Sequence, residues 1–202
     1  MRRVALLAVI VLLLTCSFVV ANPSYYATLG MSKPFAPDDF QKNWRAGFNI
    51  GAAIGYSFSS HLEVQGEFLY DNFPLDDLSY LGDFTDVNSF YASVSGGTAS
   101  LLGFYANVKY LSPLQKDATL TPYLIGGLGL GTLMIGEREV TTESEMFTVP
   151  QESQTALATG LGLGVEIVMG GRTSFVVEGR FNVLLTDETT VYFPLKLGIV
   201  IH

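Results

Sequence analysis

Residues 155–185 alternate between large apolar and small or polar side chains, along two arms joined by a Gly-Gly turn. In the first arm, one face carries leucines such as Leu161 and Leu163, whereas the other carries alanines, three glycines and Glu166. A repeat of two residues is the period of a β-strand, whose neighbouring side chains point to opposite faces. The second arm repeats the alternation, with charged residues on one face. The segment therefore predicts a β-hairpin.

The composition of the two faces predicts what each of them contacts. In a soluble β-sandwich the inward face is bulky, because its side chains must interdigitate between two sheets. Here the polar face is unusually small, while the other face is rich in leucine. An eight-stranded barrel has an interior just wide enough for side chains, so glycine beside charge fits its lumen and leucine fits lipid. We therefore expect the apolar face to point outward.

The same alternation recurs along the chain and predicts eight strands. The connections at 33–43, 72–97 and 136–153 are long, lack sustained alternation, and all fall at one end of an up-and-down barrel. The expected fold class is all-β: an eight-stranded antiparallel up-and-down transmembrane β-barrel with three long outer loops. The predicted strands are 25–32, 46–58, 62–71, 102–110, 120–135, 155–169, 175–185 and 191–201.

Aromatic residues collect near the ends of the predicted strands. Membrane-spanning barrels carry such girdles where their apolar band meets water. The expected girdles are Tyr56, Phe58, Tyr110, Tyr123 and Phe175 at one rim, and Trp44, Tyr70, Phe73, Phe181 and Phe193 at the other.

The N-terminus has the pattern of a secretory signal peptide. Two arginines precede an apolar run, and Val19-Val20-Ala21 forms a small-residue cleavage site. We expect residues 1–21 to be removed and residues 22–202 to form one barrel domain. A retained helical anchor, for which the run is short, and a lipoprotein signal at Cys16 are the alternatives. Cys16 is the one cysteine of the chain, so the mature domain would lack disulfides.

The mature chain would be strongly acidic. Of the 11 basic residues, Arg2 and Arg3 lie in the signal, so 9 would face 19 acidic ones, a formal charge of −10. Acidic groups at Asp38-Asp39, Asp76-Asp77 and 143–145 could bridge Ca²⁺ or Mg²⁺ to lipopolysaccharide phosphates. No regular calcium-loop spacing occurs, however, so solvated surface charge is the favoured interpretation.

Three segments carry a resemblance to a known family: 44–51 (WRAGFNIG), 121–127 (TPYLIGG) and 192–198 (YFPLKLG). With the signal and the alternation, they resemble the small outer-membrane β-barrels of Gram-negative bacteria, the OmpA-like and OmpX-like "porin family" group. The resemblance covers essentially the whole mature chain. It implies a monomer in the cell outer membrane, in contact with outer-membrane lipids and lipopolysaccharide, inserted by the outer-membrane assembly machinery and without a nucleic-acid partner. Such barrels typically end on an aromatic residue, whereas His202 is last here.

Catalytic chemistry has little support in the sequence. A nucleophilic triad needs a histidine beside Ser or Cys, and His61 and His202 both fall at the predicted periplasmic edge without a matching constellation. The GLGLG runs lie within strands and do not precede a helix, so they do not predict a phosphate loop. Cys and His at metal-ligand spacing are absent. We therefore expect no catalytic residue, cofactor or metal.

Charged residues on the polar face are predicted instead to form a structural network in the lumen. Opposite charges held in so narrow an interior should pair, because a buried ion without a partner is strongly unfavourable. Glu63 and Glu67 are expected beside Lys109. The predicted network consists of Glu63, Glu67, Lys109, Glu166, Glu178, Arg180 and Lys196.

Three function classes follow from these observations. The leading expectation is an integral outer-membrane barrel with a structural or surface-interaction role through its acidic loops and without catalysis. A small passive channel is the first alternative, and it requires an open lumen. An outer-membrane lipid-modifying enzyme or protease is the second, and it requires His with Ser or Asp near the outer rim.

Overall fold

In a computed structural model of the chain, the described residues are 23–82, 92–112, 119–141 and 146–202. The predicted signal peptide, the turn around 113–118 and the acidic positions 83, 86, 143 and 145 lie outside these ranges, so expectations about them stay predictions. Within the described ranges, no helix has the length and apolar character needed to cross a membrane.

Eight strands of the described chain form one closed barrel. The helices are α1 (Asp38–Asn43) and α2 (Asp77–Gly82). The strands are β1 (Pro23–Ala36), β2 (Gly47–Ser57), β3 (Leu62–Phe73), β4 (Ser93–Gly96), β5 (Ala99–Leu111), β6 (Leu120–Ile135), β7 (Arg138–Thr141), β8 (Met146–Val149), β9 (Glu152–Gly170), β10 (Thr173–Leu184) and β11 (Thr190–Ile201). The barrel order is β1-β2-β3-β5-β6-β9-β10-β11, and β4, β7 and β8 form a separate sheet.

Neighbouring barrel strands are antiparallel, and the ring closes where β1 pairs with β11. Closure leaves no strand edge with unpaired backbone groups, which a bilayer could not satisfy. The hairpin predicted at 155–185 is β9–β10, in which Val165 pairs with Val177. Its turn places Gly170 and Gly171 at φ values of 126° and 61°, a region that favours glycine. The predicted all-β, eight-stranded barrel is confirmed.

The apolar face points outward and the polar face inward, as predicted. Leu128 and Leu161 on the outer face are 71% and 70% exposed, whereas Arg180 and Lys196 on the inner face are each 1% exposed. An apolar exterior of this kind fits a lipid environment.

The two ends of the barrel differ in their connections. At one end, called the turn end below, the strands are joined by 58–61, 112–119 and 171–172. At the other, the loop end, they are joined by 37–46, 74–98, 136–151 and the short 185–189. The predicted grouping of three long connections at one end is therefore confirmed.

The long connections contain short regular elements, although their sequences show no sustained alternation. β1 continues to Ala36, α1 and α2 occupy parts of the first two loops, and β4, β7 and β8 pair with one another. Pro34, which falls in the predicted connection 33–43, lies within β1 next to an irregularity in its pairing with β11. Elements of four to six residues are too short for periodicity to reveal, so the sequence pattern missed them.

Three residues predicted for the aromatic girdles point inward instead. Trp44, Phe73 and Tyr123 are 6%, 0% and 4% exposed. Position near a strand end suggested a girdle, but alternation along the strand decides the face. Phe73 is two residues from the inward-facing Asp71, and Tyr123 is two residues from the buried Ile125.

An apolar core fills the loop end of the lumen and continues into the loops. The rings of Trp44, Phe40, Phe73 and Tyr192 are in successive contact, with centroid distances of 5.5, 5.3 and 6.0 Å. Loop residues and barrel residues therefore share one interior, called the cap core below. Its buried members are Phe40, Trp44, Leu69, Phe73, Leu75, Tyr80, Leu81, Val94, Ala99, Leu101, Tyr105, Val140, Ala158, Leu184 and Tyr192.

Candidate functional site

Four buried charges next to the cap core form a closed ring of ion pairs. Arg180 on β10 donates to Glu67 on β3 at 2.6 Å and to Glu178 on β10 at 2.7 Å. Lys196 on β11 contacts the same two carboxylates at 2.6 and 2.7 Å. Each charge in this central ring has two partners of opposite sign, so the ring as a whole is neutral.

Further hydrogen bonds fix the carboxylates of the central ring. The side-chain amide of Asn107 donates to Glu67 at 2.8 Å, and the hydroxyl of Tyr123 donates to Glu178 at 2.9 Å. A buried ion pair is favourable only when its remaining lone pairs and protons are also satisfied. These neutral donors meet that requirement for both carboxylates.

A second cluster lies nearer the turn end. Lys109 on β5 contacts Glu166 on β9 at 2.8 Å and donates to the hydroxyl of Tyr26 on β1 at 3.2 Å. Tyr26 in turn donates to Glu63 on β3 at 2.6 Å, and Gln65 donates to the same carboxylate at 2.6 Å. The two clusters together connect six of the eight barrel strands across the lumen.

All seven residues predicted for the lumen network are buried in the lumen, but one expected pairing differs. Lys109 forms its ion pair with Glu166, although Glu63 is its cross-strand neighbour in the register. Glu67 belongs to the central ring, and Glu63 is held by neutral donors. Strand alternation places a side chain in the lumen, whereas the partner across the lumen depends on how the barrel closes.

Asp71 is a buried acidic residue that the predicted network omitted. Its carboxylate accepts a hydrogen bond from Ser32, which accepts one from Asn49 at 3.0 Å. Among the described residues, Asp71 takes part in none of the ion pairs found. Its even spacing from Glu67 on β3 was the sequence signal that could have identified it.

His202 lies in a constellation that the sequence did not predict. Barrel closure places its Nδ1 atom 3.0 Å from the Ser24 hydroxyl, and its Nε2 atom 2.8 Å from Glu166 and 3.2 Å from the Ser174 hydroxyl. Serine, histidine and carboxylate in this order resemble a nucleophilic triad. However, Ser24 is 3% exposed and Glu166 is shared with Lys109. These contacts join the ends of β1, β9, β10 and β11 at the turn end.

Little free space is left beside the central ring. A cavity of about 20 Å³ lies among residues that include Tyr26, Gln65, Tyr123 and Lys196. That volume is about enough for one water molecule. With the cap core above it, a lumen filled in this way resembles a protein interior more than a pore.

The loop end carries most of the acidic residues. Of the 19 acidic residues in the chain, twelve lie in the connections 37–46, 74–98, 136–151 and 185–189, and a thirteenth, Glu152, begins β9 beside them. The same stretches contain three basic residues, Lys42, Arg45 and Arg138. Their formal charge of −10 equals that predicted for the whole mature chain. The thirteen are Asp38, Asp39, Asp76, Asp77, Asp83, Asp86, Glu137, Glu139, Glu143, Glu145, Glu152, Asp187 and Glu188.

One of these carboxylates, Asp76, forms a bidentate ion pair with Arg45. The guanidinium of Arg45 donates to both oxygens of Asp76 at 2.9 Å, and this bond lowers the pKa of Asp76 to about 2. The folded pKa of Asp76 lies below its ordinary value of 3.8. The contribution of the pair to stability is therefore present above pH 3.8 and is lost as the pH falls through about 2.

No group of three His, Cys, Asp or Glu residues is placed to hold a metal in the described part of the chain.

A closed antiparallel barrel with an apolar exterior, a charged lumen and long loops at one end defines an integral outer-membrane β-barrel protein. The chain belongs to the outer membrane protein β-barrel domain family, whose model matches residues 5–193. No curated protein sequence matches the chain.

Solved outer-membrane proteins share this fold at low sequence identity. Neisserial surface protein A is 15% identical, with a TM-score of 0.59 over 90% of this chain and 97% of that one. Ail of Yersinia pestis is 17% identical, with a TM-score of 0.50 over 89% and 99%. OprG from Pseudomonas aeruginosa is 12% identical, with a TM-score of 0.50 over 90% and 97%. The likeness is therefore one of architecture.

Proposed function

We propose that this protein is a sealed outer-membrane barrel whose acidic loop end is an interaction surface for cationic partners outside the cell. The observation that carries the proposal is the separation of charge. The lumen charges are largely paired and buried, whereas the loop end has an uncompensated formal charge of −10. Bacterial barrels place short turns in the periplasm and longer loops outside, which puts this charge on the cell surface.

The sign of the charge sets the class of partner. Concentrated charge attracts groups of opposite sign and steers their approach, at rates that fall as salt is added. An acidic loop end therefore favours basic proteins and amines over phosphate or sulfate groups. The neighbours of the barrel wall would be outer-membrane lipids and lipopolysaccharide, and the outer-membrane assembly machinery would insert the protein as a monomer.

The channel and enzyme alternatives have less support. A passive channel needs a continuous opening, but the cap core and the central ring occupy the lumen. An enzyme needs an accessible nucleophile beside a histidine near the outer rim, but the two hydroxyls beside His202, those of Ser24 and Ser174, are buried and lie at the turn end. A surface role needs neither feature.

Cells that display the protein should capture a lysine-rich peptide, and capture should fall by about tenfold in the triple variant Asp38→Asn, Asp77→Asn, Glu137→Gln. The three carboxylates are exposed at the loop end, so their loss weakens the attraction without touching the barrel. A fluorescent peptide titrated onto intact cells measures the effect.

Two sets of controls test separately whether capture depends on charge and whether the loop end faces the outside of the cell. A peptide of reversed charge should not bind, and 1 M salt should abolish capture because the Debye length shrinks to about 3 Å. Cysteines at Leu78 and Thr189 should react with impermeant thiol reagents on intact cells, whereas a cysteine at Ser60, on a turn-end connection, should not. Capture that is insensitive to salt and to the triple variant, or labelling at Ser60 alone, would contradict the proposal.

The wild-type barrel should give no stable ion conductance in a planar bilayer, because its own side chains fill the lumen. A large porin inserted under the same conditions provides the positive control. Uniform conductance steps that disappear when the protein is boiled would favour the passive-channel alternative instead.

A further inference from the structure

A cavity of about 560 Å³ opens at the loop end, between α1, the adjoining ends of β6 and β9, and the short 185–189 connection. Part of its wall is apolar and aromatic and includes Phe40, Trp44, Leu133 and Ile135. Trp44 is held in place by a hydrogen bond from its Nε1 atom to the carbonyl of Gly97 at 2.8 Å. A concave, mostly apolar site with a few polar groups is the usual form of a small-molecule site.

Charged residues line the same cavity, and their balance is negative. Asp39, Glu152, Asp187 and Glu188 supply four carboxylates, and Arg138 supplies one guanidinium. Arg138 lies 3.5 Å from Glu152, so it neutralises at most one of them. Three carboxylates of the lining are left without a compensating charge from within it.

We propose that this cavity binds an organic cation: a primary ammonium or guanidinium group carried on an apolar stem or ring. The cationic group would lie against the carboxylates, and the stem would lie along the apolar wall, where Leu133 and Ile135 are partly exposed. The inference rests on the proposed function, because it names the chemistry that the acidic loop end would recognise.

The lining argues against two other kinds of occupant. An anion would meet a net negative lining and would gain only the already paired guanidinium. A bare divalent ion would gain nothing from the apolar wall and needs a compact set of oxygen ligands, whereas the described residues offer no group of three acidic or histidine ligands at ion-binding distance. An amine with an apolar body matches both parts of the cavity.

The same chemistry could come from a free amine or from a lysine or arginine side chain of another protein. Sites for small ligands range from about 300 to 1,000 Å³, so a cavity of this volume admits a small aromatic amine or one basic side chain. The test therefore compares a free amine with a lysine-containing peptide.

Intrinsic fluorescence provides a direct measurement, because Trp44 is the one tryptophan of the chain and lines the cavity. Titration of the folded chain in detergent micelles with 2-phenylethylamine should give a saturable change in emission. Neutral 2-phenylethanol, which has nearly the same shape, should bind about tenfold more weakly. Tighter binding by an acetylated lysine tripeptide than by the amine would assign the site to a protein side chain, and the reverse would assign it to a free amine.

Two matched double variants distinguish binding in the cavity from the general electrostatic attraction of the acidic loops. Asp187→Asn with Glu188→Gln removes two carboxylates from the lining and should weaken amine binding about tenfold. Asp38→Asn with Asp77→Asn removes two exposed carboxylates outside the lining and should change it less than twofold. Both variants should still migrate more slowly on a gel after boiling than before it, because this shift marks a folded barrel.

Equal binding of amine and alcohol, equal weakening by the two variant pairs, or no saturable binding of amine or peptide would overturn this inference. None of these results would affect the salt-sensitive capture of basic peptides by the whole loop end. Conversely, capture by cells that does not respond to salt would overturn the surface function while leaving amine binding in micelles unaffected.

Discussion

Replacement of Arg180 by alanine should lower the free energy of unfolding of the barrel by about 3 kcal/mol. The side chain is 1% exposed and is shared between Glu67 and Glu178. Its removal leaves two buried carboxylates facing a single cation, Lys196. A buried charge that loses its partner is much less favourable than the original pair. Urea unfolding in detergent micelles, followed by Trp44 fluorescence and by gel mobility of unheated samples, measures the change.

The same substitution at an exposed arginine provides the control. Arg172→Ala lies in the exposed turn between β9 and β10 and should change the unfolding free energy by no more than about 0.5 kcal/mol. Arg180→Lys keeps the charge but loses the planar fork that reaches two carboxylates at once, so its stability should lie between the alanine variant and the wild type. If Arg180→Ala unfolded at the wild-type urea concentration, the central ring would not be a structural network.

Alanine at Gly129 should lower the stability of the barrel and the fraction of the chain that folds. A Cβ atom there would overlap the backbone carbonyl of Phe104 on the neighbouring strand. The backbone cannot give way without disturbing the β5–β6 ladder, in which Gly129 pairs with Tyr105. Displacing packed backbone in this way costs about 3 kcal/mol, and leucine would cost more than alanine. The fraction of protein that shows heat-dependent gel mobility after refolding in detergent reports the loss.

Gly66 is the matched control, because a Cβ atom there would meet nothing within 4 Å. Gly66→Ala should fold as well as the wild type, and Leu128→Ile on the outer face should also be tolerated. The opposite pattern, with Gly129→Ala folding normally and Gly66→Ala failing, would contradict the close approach of β5 and β6 at Gly129.

The features that the sequence predicted are those encoded within a single strand. Alternation along β9 and β10 fixes which side chains face lipid and which face the lumen, so Arg180 and Glu178 could be placed inside from their positions alone. The same alternation places Asp71 on the inner face with Glu63 and Glu67, although the predicted network omitted it. Followed two residues further, it would have excluded Phe73 from the girdle.

The contacts that escaped prediction join residues far apart in the chain. The hydroxyl of Ser24 and the ring of His202 are separated by 178 positions and meet only because β1 closes against β11. Lys109 reaches Glu166 across the lumen and not its strand neighbour Glu63. The short elements of the loops were missed for a different reason. Each covers less than two turns of helix or a few strand residues, which is too short to show a periodic pattern.

The cap core has a consequence for how the surface of this protein can change. Loops on a rigid scaffold usually accept substitution and insertion freely, because few of their side chains are buried. Here Phe40, Leu81, Val94 and Val140 come from three different loops and share the interior with barrel residues. We expect substitutions to accumulate at the exposed charged positions between these buried residues. The surface charge of the loop end can then change while its shape stays nearly constant.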